Sequence, residues 1–405
     1  MSSSTALHHE LRCASSLLNA HQALLAWRPD VEVVDNTPAA SPLDQLGWAP
    51  WLLSLDEPAL HAFECGGVDA DWTTAPASLQ RFVDDVRAAI AVPLLLDDAV
   101  AQPARRFEPA HKQQQVDAFA RLVARVAGDV HRVVDVGSGH GHLTRALARA
   151  VARPVLGLER DPALAAHAQA LADAERGAGA AVDFAVADVL QGGLVVQPGD
   201  GVVGLHACGE LGDVAATAVA AATGPVALVF VGCCLQKQRA EERVGLAAPV
   251  TLRKPLLGLS NLSPGDVGVE AARVDNLGGR CNRIALRLLL ARAGVAVRAR
   301  AELEGLNRRS AQAPLPELVA QAFAARQLPP PTAIDVDDAR VTASMLHERY
   351  RRLSLPRSLL GRVIEVFVLR DRAAFLAARG FDVDIGVVFP KALSPRNLAL
   401  VAVRR

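Results

Sequence analysis

Three short stretches of the chain gather residue types that can do chemistry. DVGSGHG (135–141) sets an acid before glycines spaced G-x-G-x-G, HACGEL (206–211) joins an imidazole, a thiol and a carboxylate, and VGCC (231–234) adds two adjacent thiols. A glycine-rich loop between a strand and a helix lets the backbone approach a ligand and offers the free N–H groups of the helix start. A dinucleotide fingerprint requires G-x-G-x-x-G, whereas the sixth position here is His142. Asp135, just ahead of the loop, is compatible with an ammonium group and incompatible with a pyrophosphate. A phosphate-free cation such as S-adenosylmethionine (SAM) meets both conditions.

Two further acids stand where such a ligand needs them. Glu159 ends the run PVLGLE and can accept from both ribose hydroxyls, while Asp188 follows VDFAVA and can accept from an adenine amino group. The expected cofactor set is therefore Asp135, Gly137, Ser138, Gly139, Gly141, Glu159 and Asp188, joined by His206 at the end of the next apolar run. A glycine loop alone is weak; the ordered series of loop, strand-end Glu and strand-end Asp is much more specific.

HACGEL admits three readings. His206 can serve as general base or orienting group for an N, O or S acceptor, because an in-line methyl displacement needs positioning and one base near neutrality. Cys208, with Cys233 and Cys234 after the following strand, can instead supply the nucleophile of an RNA cytosine-C5 transfer, with Glu210 as acid. In the third, His206 is a strand-end residue bonded to backbone and the cysteines are small apolar fillers. The Asn/Asp-Pro-Pro-aromatic motif that methyltransferases place here for nucleic-acid amino groups has no counterpart: HACGEL holds neither proline nor aromatic.

These residues need a scaffold that aligns them on one edge. VVDV (133–136), PVLGLE (154–159), VDFAVA (182–187), GVVGLH (201–206) and VALVFVG (226–232) read as strands, with helices at 143–151, 162–175 and 211–222 between them. Alternation of this kind predicts a parallel sheet covered on both faces. RSLLGRVIEVFVLRDRAAFLAARG reads as a long helix stopped by Gly380, followed by FDVDIGVVF and SPRNLALVAV as a final strand pair. The expected fold class is α/β: a class I SAM methyltransferase, Rossmann-like and seven-stranded, parallel with an antiparallel edge. Residues 1–110 read as a helical N-terminal region, 111–236 as the SAM-binding core, 237–357 as a mainly helical insertion with a proline- and glycine-rich start, and 358–405 as the helix and strand pair completing the core.

Composition narrows the classes. The formal net charge is zero, yet residues 1–110 carry 6 Lys/Arg against 15 Asp/Glu and residues 281–405 carry 21 against 11. The two ends are thus expected either to attract each other or to leave a basic face for RNA or a ribosome. The 6 cysteines show no C-x-x-C spacing, which predicts reduced thiols, no disulfide scaffold and no metal. With no apolar run of ~18 residues and no secretory pattern at the start, neither a membrane contact nor export is expected, and the expected location is cytoplasmic. Arg396 and Asn397 in SPRN are candidates either for substrate contact or for holding a hairpin turn.

VVDVGSGHGHL, GLHACGEL, VGCC and LSPRNLALVA together resemble the methyltransferase-like protein 25 family, whose close relatives are named ribosomal RNA adenine dimethylase domain-containing proteins. The resemblance runs from about Trp48 to the C-terminus and implies a SAM-binding class I fold with an undefined acceptor. Relatives carry tyrosine where this chain has Leu235, and Lys-x-x-Glu where it has HKQQQ (111–115), which leaves Lys112 and Gln115 as candidates beside the methionine end of SAM. Two function classes follow: a SAM-dependent methyltransferase with an unidentified acceptor, or a SAM-binding RNA- or ribosome-associated module without robust catalysis.

Overall fold

The computed structural model describes residues 4–28, 41–96, 110–175, 181–262, 270–297 and 301–405. They form two compact units, one made of Met1–Ala20, Val86–Ser263 and Leu360–Arg405, the other of His21–Asp85 and Pro264–Leu359.

The first unit is built on a sheet. Its strands are β1 (Arg132–Val136), β2 (Val155–Glu159), β3 (Val182–Val186), β4 (Asp200–Cys208) and β5 (Val226–Cys233); after a small ribbon of β6 (Glu242–Val244) and β7 (Thr251–Arg253) come β8 (Asp382–Val387) and β9 (Leu398–Arg404). The seven-stranded order is β3-β2-β1-β4-β5-β9-β8. β1 to β5 run parallel, and β9 pairs antiparallel with both β5 and β8. This is the parallel sheet with an antiparallel edge that the strand pattern predicts. β1, β4 and β5 are Val-rich and almost wholly buried, as strands covered on both faces must be. The helix Ala110–Val126 lays Val116, Phe119, Leu122 and Val123 on the same core as Val133, Val203 and Val229. Because the order reverses between β1 and β4, the carboxyl ends of these strands form the crevice where such sheets bind ligands. A separate recess of about 460 Å³, bounded by His131, Arg153, Pro225 and Arg405 among others, lies at the opposite, amino-terminal edge.

Within the stretch expected to be mainly helical, β6 and β7 also pair antiparallel; residues 263–269, part of its proline- and glycine-rich start, lie outside the described residues. The closing helix is also far longer than the pattern suggested. It runs Ala333–Ala377, 45 residues with Pro356 inside it. The sequence reading began this helix at Arg357, just past Pro356, and a proline inside a helix removes one backbone donor and crowds the preceding turn. Buried Leu353, Leu355, Leu359 and Leu360 on either side hold the helix through that cost. Gly380 (φ 80°) follows its end, as expected of a left-handed stop.

The second unit packs the helix Glu270–Arg292 against Leu315–Ala325 around Leu286, Leu290, Leu318 and Phe323. Trp51, Phe63 and Trp72 form an aromatic group in this unit, with Phe63 and Trp72 ring centroids 4.4 Å apart. Charge from the two ends of the chain meets within each unit: Arg351 bonds Glu64 (2.7 and 2.9 Å) and Glu57 (2.9 Å), and Arg370 pairs with Glu10 (3.0 Å).

His347 in this unit is buried, and its Nε2 has no hydrogen-bond partner among the described residues. Burial, reinforced by Arg351 and Arg280, pushes its pKa down to about 4. The unfolded chain therefore binds this proton more readily than the fold does, so stability is full above the ordinary imidazole range and falls as pH drops through it. The loss should reach about 3 kcal/mol near pH 4. Urea denaturation between pH 7 and pH 4.5 checks this: His347→Gln should flatten the pH slope, and an unchanged slope would assign the acid sensitivity to other groups.

Candidate functional site

The glycine loop joins β1 to the helix His142–Val151. Gly137, Gly139 and Gly141 all have positive φ (77°, 55° and 72°), conformations that side-chain-bearing residues resist. Gly137 N and Ser138 N both donate to Leu158 O on β2, at 2.9 and 3.0 Å, which fastens the loop to the neighbouring strand. The glycines differ in what they face. A Cβ at Gly137 or Gly139 would meet no protein atom within 4 Å, so both border open space, whereas Gly141 and Gly157 close on the Phe184 ring. Ser138 Oγ is buried without a partner among the described residues. An open glycine cradle with an unsatisfied hydroxyl beside it fits a polar ligand lying across the loop.

Glu159 stands at the end of β2, and it accepts from Gly139 N (2.9 Å) and Asp161 N (3.0 Å). Its carboxylate is thus aimed at the glycine loop itself. Asp188, after β3, caps the short helix Val189–Gly192 by accepting from Leu190 N (3.0 Å) and Gln191 N (3.3 Å). Asp135 is buried beneath the loop, where Thr144 Oγ1 donates to it at 2.7 Å. Desolvation raises its pKa to about 7, against the Thr144 bond and with Glu159 adding to the rise. In this structure it supports the loop from below.

His206 does not end its strand. β4 continues to Cys208, through a register shift against β5 between Leu205 and Ala207. The extra residue of such a bulge turns one side chain out of the alternation, and His206 takes left-handed backbone (φ 60°) to do so. Its Nε2 lies 2.8 Å from Gln115 Oε1, while Gln115 Nε2 donates to Leu393 O at 2.7 Å. That main-chain anchor orients the amide so that its oxygen accepts from His206 Nε2–H. The neutral ring then carries its lone pair on Nδ1. Burial first, then Lys112 and Arg396, lower the imidazole pKa, so the ring is neutral at pH 7. Gln115 was one of the two candidates in HKQQQ; its partner Lys112 acts on His206 through charge.

The cysteines converge as well. Cys208 and Cys233 face each other across β4 and β5, their Sγ atoms 2.7 Å apart, and each sulfur also lies within thiol hydrogen-bond reach of His206 O, at 3.2 and 3.1 Å. The Cys233 hydrogen bond, with Lys237, draws the Cys208 pKa down to about 6, while the same pairing and burial push Cys233 up. Glu210 is fully engaged by the Arg239 guanidinium (2.7 Å at the closest), which lowers its pKa. An ionised, paired carboxylate supplies no acid, and this removes Glu210 from the cytosine-C5 arrangement. Leu235 is buried.

Arg396 and Asn397 hold the turn before β9. Arg362 Nη2 donates to Asn397 Oδ1 (2.8 Å), Asn397 Nδ2 donates to Phe389 O (3.0 Å), and Arg396 lies 3.7 Å from Glu365. Sequence reasoning missed the network behind HACGEL. Arg372 donates to Gly209 O (3.0 Å) and Asp213 (2.9 Å), Arg243 links Asp213 to Asp371 at 2.8 Å each, and Gly212 leaves the room that the Arg372 guanidinium occupies. Buried arginine in the closing helix, opposite G-x-x-G-D, was the available signal.

Residues 111–241 match the family model of a methyltransferase domain. This segment is a methyltransferase domain. It covers β1 to β5 and every cofactor candidate named above. Among solved structures, magnesium protoporphyrin IX methyltransferase from Synechocystis PCC 6803, with bound S-adenosylhomocysteine, is similar at 21% identity over 32% of this chain and 63% of that one, with a TM-score of 0.26. The 23S rRNA methyltransferase ErmE is similar at 17% identity over 57% of this chain and 96% of that one, with a TM-score of 0.23. This chain thus spans less than two thirds of the length of the Synechocystis enzyme. Among the described residues no helix is long and apolar enough to cross a membrane.

Proposed function

We propose that this chain is a SAM-dependent methyltransferase of the methyltransferase-like protein 25 type, acting on an acceptor that loses a proton as it is methylated. The observation that carries it is the meeting, at one strand edge, of an open glycine loop, the Glu159 carboxylate aimed at that loop and the neutral His206 anchored by Gln115. When bound, SAM would supply an electrophilic methyl carbon on a sulfonium, open to attack by a lone pair in line with the carbon–sulfur bond, with the neutral thioether S-adenosylhomocysteine as leaving group. Gly137 and Gly139 leave room for its amino-acid portion, Glu159 accepts from the ribose hydroxyls, and Asp188 stands on the adenine side. His206 Nδ1 accepts the proton that the acceptor atom gives up, while Gln115 holds the ring so that this nitrogen, and not Nε2, is the base. Pro-Pro-aromatic chemistry on an adenine amino group lacks its residues here, so the acceptor is sought among nucleophiles that need a base.

Isothermal calorimetry tests the cofactor half. Glu159→Ala should weaken SAM binding by about 30- to 100-fold, the loss of two charge-assisted hydrogen bonds, and an unchanged affinity would remove Glu159 from the ribose site. Labelled methyl transfer into cell extract, separated into RNA, protein and small-molecule fractions, identifies the acceptor class. No label in any fraction, with SAM binding intact, would favour a binding module instead.

A further inference from the structure

The methyltransferase reading leaves three thiols unused. The Sγ atoms of Cys208, Cys233 and Cys234 all lie within 4.8 Å of one another, where the ends of β4 and β5 meet. We propose that they form a trithiolate site for one zinc ion, with the fourth position left to a ligand from outside the chain.

The backbone brings the sulfurs together in two ways. Cys208 and Cys233 are direct register partners, and only the shift at His206 makes them so. Cys234 is the next residue after Cys233, and in a continued strand its side chain would leave by the opposite face. Instead its φ is 33°, so the chain turns and the sulfur comes back to the same cluster. A disulfide between Cys208 and Cys233 would use two of the sulfurs and leave this turn at Cys234 without a role. A metal ion uses all three.

The donor set selects the ion. Three thiolates with no carboxylate among them favour a soft or borderline cation, and zinc takes such ligands at about 2.3 Å in tetrahedral geometry. That geometry puts sulfurs about 3.8 Å apart, so the Cys208 and Cys233 sulfurs, 2.7 Å apart here, would move outward on binding. Three thiolates on one zinc ion leave a net charge of −1. Lys237 is the neighbouring cation, and it already acts on both Cys208 and Cys234. Cys233 is buried while Cys208 and Cys234 are partly exposed, so the cluster is closed on the sheet side and reachable from outside. Three protein ligands with one reachable position is the pattern of a reactive zinc site; a purely structural site closes with four.

Metal content is read without any transfer assay, so the outcome is independent of whether the chain methylates anything. The full chain, purified with reductant in zinc-supplemented medium, should hold about one zinc per chain by mass spectrometry of the elements. Cobalt(II) added after zinc removal should give intense thiolate-to-metal charge-transfer absorption with tetrahedral d–d bands. Cys208→Ser and Cys234→Ser should each reduce retained zinc by about tenfold or more at a buffered free-zinc level, with circular dichroism confirming the fold. If a variant fails to fold, the cobalt spectrum of the unaltered chain decides. Zinc retained in both variants, no charge-transfer band, or a Cys208–Cys233 disulfide persisting under reductant would each overturn the site.

Discussion

Replacing His206 with asparagine should lower methyl transfer by about 10²- to 10⁴-fold, the range a general base contributes, while changing SAM affinity by about tenfold or less. Asparagine is the informative substitution because His206 sits at φ 60°. Asn tolerates left-handed backbone, whereas alanine there is strained by about 1–2 kcal/mol, which would mix a folding defect into the rate. Asn is shorter than the ring, so the Nε2 bond to Gln115 is lost with the imidazole. What it lacks is a group able to take a proton near neutrality. The pH profile separates base from scaffold. With the His206 pKa lowered by burial, Lys112 and Arg396, the acid limb of kcat should lie below the ordinary imidazole range, and activity should fall as pH drops through it. The Asn variant should lose that limb. Initial rates retained within about tenfold, with the limb intact, would assign the proton to water or to another group.

Asp371→Ala should destabilise the first unit by about 3–5 kcal/mol, the usual cost of breaking a buried ion pair from one side. The Asp371 carboxylate is fully buried. It accepts from Arg243 Nη2 (2.8 Å) and from the backbone N–H groups of Leu246 (2.8 Å), Ala247 (2.9 Å) and Ala248 (2.9 Å). Alanine would leave three part-buried backbone donors without their acceptor and remove one bond from the buried Arg243 guanidinium. Asp371→Asn keeps the shape but turns an amide donor towards donors, so most of the loss should remain. Because Arg243 also holds Asp213, and Asp213 holds Arg372 against Gly209 O, the damage should extend to HACGEL. Urea denaturation followed by circular dichroism measures the loss, and a double-mutant cycle with Arg243→Met should show strong coupling. Additive effects would mean that the backbone donors, and not the ion pair, carry the stability.

Much of this molecule was readable before any coordinate. Valine-rich runs alternating with alanine-rich amphipathic segments specify a buried parallel sheet, because strand burial on both faces is written in local composition. The glycine loop was equally legible: three glycines at alternate positions after a strand serve a backbone that no other residue adopts easily, and all three do have positive φ. Glu159 could be placed because a strand end is a local feature. The closing helix was misjudged at Pro356, where a local penalty is outweighed by leucines packed on both sides.

The amino-acid sequence by itself determined the sheet, its glycine loop and the edge on which Glu159 and His206 lie. Only the tertiary structure decided what the residues of that edge do to one another. Gln115 orients His206 from 91 residues away, and Cys208 meets Cys233 only through a one-residue register shift. The absence of C-x-x-C had argued against a metal, yet ligand spacing along the chain constrains only sites built on one hairpin or turn. Two adjacent strands place residues 25 positions apart side by side, and hydrogen-bond register, a property of strand pairing and not of either strand alone, sets that neighbourhood.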